Sequence, residues 1–207
     1  VNTHDDDYYG GRLAAALLPP EDQVMGRLHA RLVRQAHEED VLDLSYRTMD
    51  TPVGTLLLAA TPRGLVKVAY AVQDHAEVLQ SLADTVGPRV LHAPRLLDPV
   101  SRQLDEYFAG RRRGFDLALD WRLSRGFRHE VLTHLADIAY GRTASYAQVA
   151  AATTSPRAVR AVGTACATNP LPVVVPCHRV VRSDGSAGQY VGGAEAKRAL
   201  LTLETTA

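Results

Sequence analysis

The sequence predicts an α+β protein: a small N-terminal α/β domain with a short antiparallel sheet, then a mostly helical C-terminal domain with a helix-turn-helix and a turn built on Pro176-Cys177-His178-Arg179. Three observations lead there. Between residues 42 and 121, short apolar-rich runs alternate with Pro/Gly turn signals, as in strands. After residue 124 the apolar spacing becomes that of helices. The chain has 207 residues, 46% hydrophobic and 22% charged, which suits one compact domain or two small ones.

Residues 1–41 read as an N-terminal extension. Asp5-Asp6-Asp7, Gly10-Gly11 and Pro19-Pro20 break regular structure, after which residues 21–39 form an amphipathic helix with Val24, Leu28, Leu32 and Val33 on one side. The extension is either a partner-binding arm or a loosely docked appendage, and the second reading is preferred. Residues 42–123 form the N-terminal domain. Strands at 42–48, 54–60 and 65–70 are separated by Thr51-Pro52-Val53-Gly54 and Thr61-Pro62-Arg63-Gly64, which predicts an antiparallel meander. Helices follow at 76–86 and 94–109, the second burying Leu97, Val100, Leu104 and Phe108. No residue cluster in this domain asks for catalysis.

Residues 124–207 form the C-terminal domain, with helices at 127–139, 145–152, 156–168 and 193–204. The second and third have the lengths of a helix-turn-helix, with Ser155 as N-cap and Pro156 at the first helical position. Spacing alone does not assign DNA binding, because most helical hairpins of this kind bind none. Charge adds a second signal. The whole chain is neutral, but residues 125–204 hold nine basic and five acidic residues, so this half favours an anionic partner.

No apolar run approaches the roughly 20 residues of a membrane-spanning helix, and the acidic start is unlike a secretory leader. The expectation is a soluble cytoplasmic protein without a membrane partner. Cys166 and Cys177 are the only cysteines, too few for a disulfide framework and without zinc-ligand spacing. No metal and no cofactor are expected.

The chemistry-bearing segment is Leu171-Pro172-Val173-Val174-Val175-Pro176-Cys177-His178-Arg179. Residues 173–175 read as a short buried strand, and Pro176 ends its ladder, delivering Cys177 at a fixed break. A thiol attacks as thiolate, and the adjacent imidazole and Arg179 are expected to lower its pKa. On the residues alone a buried, inert cysteine beside a hydrogen-bonded histidine is the stronger reading, since catalytic partners are normally neighbours in space and not in sequence.

The longer pattern reverses that preference. Pro176-Cys177-His178-Arg179-Val180-Val181, Gly185, Gly188-Gln189-Tyr190-Val191-Gly192-Gly193, Lys197, Leu200-Leu201 and Glu204 resemble the O6-alkylguanine-DNA alkyltransferase (methylated-DNA-protein-cysteine methyltransferase) family. The match extends upstream through Tyr140-Gly141, Ser145-Tyr146, Arg160-Ala161-Val162-Gly163 and Asn169-Pro170, and more weakly to Thr51-Pro52-Val53-Gly54 and Tyr107-Phe108-Ala109-Gly110.

The resemblance implies repair of DNA by irreversible, single-turnover transfer of the alkyl group from O6-alkylguanine, and also from O4-alkylthymine, to Cys177. It makes His178 the base, acting through a water, and Glu204 its orienter. Tyr146 is implied to donate its hydroxyl hydrogen to guanine N3 or the O6 side of the ring, and the Val191 N–H to help hold O6. Tyr190, Pro172 and Cys166 fall among the substrate-binding positions, with Cys166 a packing residue and not a second nucleophile. The resemblance makes Asn169 a hinge that bridges the second helix of the pair to the cysteine turn by satisfying buried backbone groups. The target nucleotide must leave the duplex, and the resemblance places that helix in the minor groove with Arg160 entering the stack. Ala161 and Gly163 permit close approach, with Arg157 and Ser145 as further DNA contacts. The implied partner is double-stranded DNA carrying O6-alkylguanine, met by a monomer with no obligate protein partner, cytoplasmic and nucleoid-associated on DNA, or nuclear in a eukaryote.

Thr154 departs from a usual glycine, Ala187 and Ala194 from larger aliphatics, and Leu132 from a common tryptophan; none touches the chemistry. The competing readings are a thiol-dependent hydrolase, which needs repeated turnover, a lesion-binding sensor, which replaces the nucleophile present here as Cys177, and a helix-turn-helix regulator, which needs an effector domain.

Overall fold

The computed structural model describes residues 20–206; the breaks expected at residues 5–7, 10–11 and 19 lie outside the described residues. The chain divides into two compact units, residues 1–41 and 42–207. In the first, helix α1 (Glu21–Glu38) starts after Pro20, with Glu21 and Asp22 in its first turn, where its dipole favours negative charge. The single apolar side expected for it is divided. Met25, Leu28 and Leu32 are exposed, whereas Ala36, one turn after Leu32 on the same side, is buried and Ala30 and Val33 are half-buried.

The second unit begins with strands β1 (Leu44–Met49), β2 (Leu56–Thr61) and β3 (Gly64–Tyr70), paired antiparallel with Thr48 opposite Leu57 and Leu58 opposite Val68. The sheet is mixed and not purely antiparallel. A fourth strand, β4 (Val90–His92), runs parallel to β1 and gives the order β3-β2-β1-β4. Three residues are too few to show a period in sequence. Central β2 is buried on both faces: Leu56 and Leu58 join the main core, while Ala59 packs with Leu44, Val66 and Leu82. The outer edge of β3 is covered. Leu65 exchanges backbone hydrogen bonds with Ala118 and Asp120, and the Val68 N–H donates to Pro170 O at 2.8 Å. Gly64 makes that approach possible, because a Cβ there would stand 2.2 Å from Ala118 O.

Helix α2 (His75–Thr85) is capped by Asp74, whose side chain accepts from the N–H groups of Ala76 and Glu77. Helix α3 (Asp98–Phe108) follows a 3-10 turn at Pro94–Leu97 and buries Val100, Leu104 and Tyr107, leaving Phe108 only half-buried. Next come α4 (Gly126–Leu135), β5 (Ala144–Ser145), α5 (Tyr146–Ala151), α6 (Val159–Ala167), a 3-10 turn at Cys177–Arg179, β6 (Val180–Val181) parallel to β5, and α7 (Gly193–Thr206).

Two local expectations fail here. Helix α6 starts at Val159 with Ala158 as N-cap and no side-chain cap, because residues 155–158 close a separate turn in which Ser155 O accepts the Ala158 N–H at 2.9 Å. Residues 173–175 are a tight turn and not a strand: Pro172 and Val175 bridge across it, and Val173 takes a left-handed φ of 72°. The strain of a β-branched residue there, about 1–3 kcal/mol, is opposed by the Val175 N–H bond to Leu171 O at 2.8 Å. One core runs through the whole second unit, with Leu58, Val68, Leu104, Leu135, Val162, Cys166 and Leu200 in a single cluster.

Candidate active site

The turn Cys177–Arg179 lies against α7, which presents Lys197, Leu200 and Glu204 as one buried face at helical spacing. Lys197 and Glu204 stand two turns apart, roughly 10 Å along the axis, so α7 offers a cation near its start and a carboxylate near its end. Cys177 is buried, and its Sγ accepts from Asn169 Nδ2 at 3.1 Å. The same amide donates to Val175 O at 2.9 Å while Asn169 Oδ1 accepts the Leu171 N–H at 2.9 Å. One side chain just beyond α6 thus fixes both the turn and the sulfur.

Burial pushes the Cys177 thiol up to about 11, opposed by the Asn169 bond and by the charge of Lys197. The resting group is the neutral thiol, contrary to the lowered pKa expected from its neighbours in sequence. Arg179 does not act on the sulfur. Its Nε and Nη2 donate to Glu204 at 2.9 Å and its Nη1 to Ile138 O at 2.6 Å. The cation that favours the thiolate is Lys197, fully buried, with Nζ donating to Val180 O at 2.6 Å.

His178 Nε2 lies 2.9 Å from Glu204 Oε1, and both side chains are buried. Burial lowers the imidazole pKa, opposed by Glu204. A neutral imidazole facing a carboxylate must donate from Nε2, which leaves Nδ1 as the basic nitrogen. Nδ1 is buried and has no hydrogen-bond partner among the described residues. Burial alone would raise the Glu204 carboxyl, but hydrogen bonds from His178, Arg179 and Tyr107 overcome it and hold the group far below the usual range. Tyr107 donates at 2.6 Å and the Gly141 N–H at 3.1 Å. The arrangement therefore pairs a protonated thiol with a neutral, oriented base.

Tyr146 opens α5 and lies against the loop before α7: a Cβ on Gly188, whose φ is +61°, would stand 2.8 Å from the Tyr146 hydroxyl. That hydroxyl makes no hydrogen bond among the described residues, and burial, with Cys166 and Cys177 nearby, raises its pKa. A cleft of about 560 Å³ is lined by Tyr190, Val191, Gly188, Ala187, Ala194 and Arg182 among others. The Val191 N–H makes no backbone hydrogen bond among the described residues. Pro172 and Cys166 are buried and do not line this cleft. Burial pushes the Cys166 thiol well above its ordinary range.

Helix α6 packs on α4 and α5 and turns another face outward. On it Arg160 is exposed, Ala161 and Gly163 are half-buried, and a Cβ on Gly163 would meet nothing within 4 Å. Arg157 is exposed in the preceding turn; neither guanidinium has an ion-pair partner among the described residues. Ser145 caps α5, its Oγ accepting the Gln148 N–H at 3.2 Å while Gln148 Oε1 accepts the Ser145 N–H at 2.7 Å. Thr154 ties the turn between the helices to α4 through two bonds to Glu130, at 2.5 and 2.8 Å.

Sequence reasoning missed Tyr107 and the part played by Lys197. No residue cluster in residues 42–123 asks for catalysis by sequence, yet Tyr107 reaches Glu204 from α3; the Tyr107-Phe108-Ala109-Gly110 string is its one signal. Among the described residues no helix is long and apolar enough to cross a membrane, and no cluster of three or more acidic, histidine or cysteine side chains could hold a metal.

Comparison with known proteins gives this geometry a family. Residues 126–206 match the family described as 6-O-methylguanine DNA methyltransferase, DNA binding domain, and residues 44–121 match its ribonuclease-like domain. The methylated-DNA–protein-cysteine methyltransferase of Mycolicibacterium paratuberculosis is 37% identical over 161 residues, 78% of this chain and 92% of that one. The constitutive enzyme of Bacillus subtilis is 37% identical over 160 residues, 77% of this chain and 94% of its own. The crystal structure of the Mycobacterium tuberculosis O6-methylguanine methyltransferase superposes with a TM-score of 0.68 at 36% identity, covering 79% of this chain and 93% of that one. The same relative in complex with DNA gives 0.66 at 36% identity, covering 78% and 93%. With the thiol, base and carboxylate assembled as described and relatives matched along nearly their whole length, the chain belongs to the methylated-DNA–protein-cysteine methyltransferase family.

Proposed function

We propose that the protein repairs DNA by direct reversal, moving the alkyl group of O6-alkylguanine, and of O4-alkylthymine, from a flipped-out nucleotide to Cys177 in one irreversible turnover. The observation that carries this reading is the buried Cys177 sulfur held by Asn169 beside a His178 whose Nε2 is fixed on Glu204. The thiol proton moves through a water to His178 Nδ1, the sulfur pair forms the S–C bond, and the C–O6 bond breaks with its electrons on O6. The Tyr146 hydroxyl, bonded to N3 or the O6 side, and the Val191 N–H offset that charge until solvent protonates the departing guanine. A thioether is no leaving group at neutral pH, so each molecule acts once.

Extrusion of the base is assigned to α6 in the minor groove. Exposed Arg160 fills the vacated stack, Ala161 and Gly163 allow the approach, and Arg157 and Ser145 contact the backbone. Tyr190, Pro172 and Cys166 shape the base site, Tyr190 directly and the other two by packing. In this reading residues 1–41 are an appendage, 42–123 a supporting α/β domain and 124–207 the DNA-binding acceptor domain, acting as a cytoplasmic monomer.

Incubation with duplex containing O6-methylguanine, followed by intact mass and peptide mapping, tests it. The expected product is a gain of one CH2 on Cys177, once per molecule. Cys177→Ser binds duplex but takes no methyl, and Cys166→Ser keeps transfer. Methyl on Cys166 or repeated turnover overturns the assignment, the latter in favour of a hydrolase.

A further inference from the structure

Tyr70, the last residue of β3, belongs to none of the sequence strings that carry the family resemblance, yet it touches the cleft loop twice. Its hydroxyl is 3.0 Å from the Tyr190 hydroxyl, and the two rings meet edge to face with centroids 5.8 Å apart. Gly192 lies flat on the hydroxyl end of the Tyr70 ring, where a Cβ would stand 2.6–2.7 Å from three ring carbons. Tyr190 in turn meets the His178 ring edge to face at 6.3 Å. Two positions back, the Val68 N–H holds Pro170 O at 2.8 Å, next to the Asn169 that binds the Cys177 sulfur. One strand end thus braces both the cysteine turn and the loop facing it.

Tyr70 itself has little freedom. It is buried, its backbone N–H donates to Gln73 Oε1 at 3.0 Å, and it pairs with Leu56 in the sheet. Burial raises the pKa of both hydroxyls, so the pair stays neutral and bonded throughout the physiological range. A rigid strand that holds the loop walling a site sets the width of that site without touching the ligand.

We infer that Tyr70 is a positioning residue for the acceptor site: by holding Tyr190 and Gly192 it sets the room between the cleft loop and Cys177, and so discriminates between small and bulky O6-alkyl groups. The inference rests on the alkyl-transfer reading above.

The test compares single-turnover transfer from O6-methylguanine and O6-benzylguanine, placed in the same duplex, by wild type, Tyr70→Phe, Tyr190→Phe and the double variant. Methyl transfer by Tyr70→Phe should fall by roughly three- to tenfold, the range for one lost hydrogen bond, with duplex affinity unchanged and the benzyl-to-methyl rate ratio raised at least about threefold. The double variant should be no worse than either single one, since both remove the same bond. Gly192→Ala, which presses on the same ring, should move the ratio as well. Additive effects, an unchanged ratio, or equal losses on both substrates that follow the melting temperature would each overturn the inference. Failure of the wild type to transfer methyl would instead strike the underlying function.

Discussion

Glu204 accepts a 2.6 Å hydrogen bond from the hydroxyl of Tyr107, 97 residues earlier in the chain, so a helix of the region matched by the ribonuclease-like domain completes the carboxylate site on α7. Tyr107→Phe keeps the ring and removes the donor. Hydrogen bonds to charged groups contribute about 1.5–3 kcal/mol, and a loss of that order is expected in denaturant unfolding at neutral pH. The folded pKa of Glu204 is depressed from 4.5, so its contribution to stability is present above that value and is lost as pH falls toward the folded pKa. Removing Tyr107's donor raises the folded pKa, and the midpoint of acid unfolding should move to higher pH; an unchanged midpoint would show that Arg179 and His178 suffice.

The pH dependence of transfer separates two ways of activating the thiol. With Cys177 near 11, attack by a thiolate formed in bulk solvent would speed up roughly tenfold per pH unit through neutrality. Transfer of the proton to His178 makes the rate follow the neutral imidazole, whose pKa lies below 6.5. Single-turnover rates on free O6-benzylguanine should therefore be flat from about pH 7 to 9 and fall only at lower pH. A steady rise across that interval would rule out His178 as the base.

Much of this site was legible in the sequence because Cys177, His178, Asn169 and Glu204 sit in one ordered string within the last 40 or so residues of the chain. The long helices α3 and α7 were legible for a different reason, the helical spacing of Val100 with Leu104 and of Leu200 with Glu204. What escaped was tertiary. Tyr70 and Tyr107 reach the site across 120 and 97 residues, and no local period encodes such a meeting. Arg179 was misplaced because proximity in sequence is not direction in space. On a 3-10 turn, at about 120° per residue, side chains two apart diverge, and Arg179 turns to Glu204 while Cys177 faces Asn169. Val173 to Val175 has strand composition, but the hydrogen bonds around Asn169 and Leu171 impose a turn on it.

Lys197→Met should separate chemistry from stability. Methionine keeps most of the bulk but removes the charge that favours the Cys177 thiolate and the bond to Val180 O. Burying an ammonium is itself costly, so its removal offsets the lost bond, and the melting temperature should move less than in Tyr107→Phe. Transfer to Cys177 should slow on the order of tenfold, about the effect of one pKa unit on the thiol. An unaltered rate would leave Lys197 as a scaffold for β6 alone.

Arg160→Ala isolates base extrusion from alkyl transfer. Arg160 is exposed on α6, its guanidinium has no ion-pair partner among the described residues, and it lies outside the buried cluster around Cys177, so folding and the acceptor chemistry should be untouched. Free O6-benzylguanine needs no unstacking, and its rate should stay within about twofold of wild type. Duplex O6-methylguanine does need it, at a cost of a few kcal/mol, and the variant loses whatever part of that cost the guanidinium offsets. A duplex rate lower by roughly ten- to a hundredfold is expected. The defect should shrink when the lesion sits opposite a mismatch or in single-stranded DNA, where less stacking must be broken. Salt should weaken duplex binding by the variant less steeply than by wild type if Arg160 also neutralises phosphate, and equally if it acts only within the stack. Equal slowing on free base and duplex would remove Arg160 from the extrusion step and place its effect in the acceptor site.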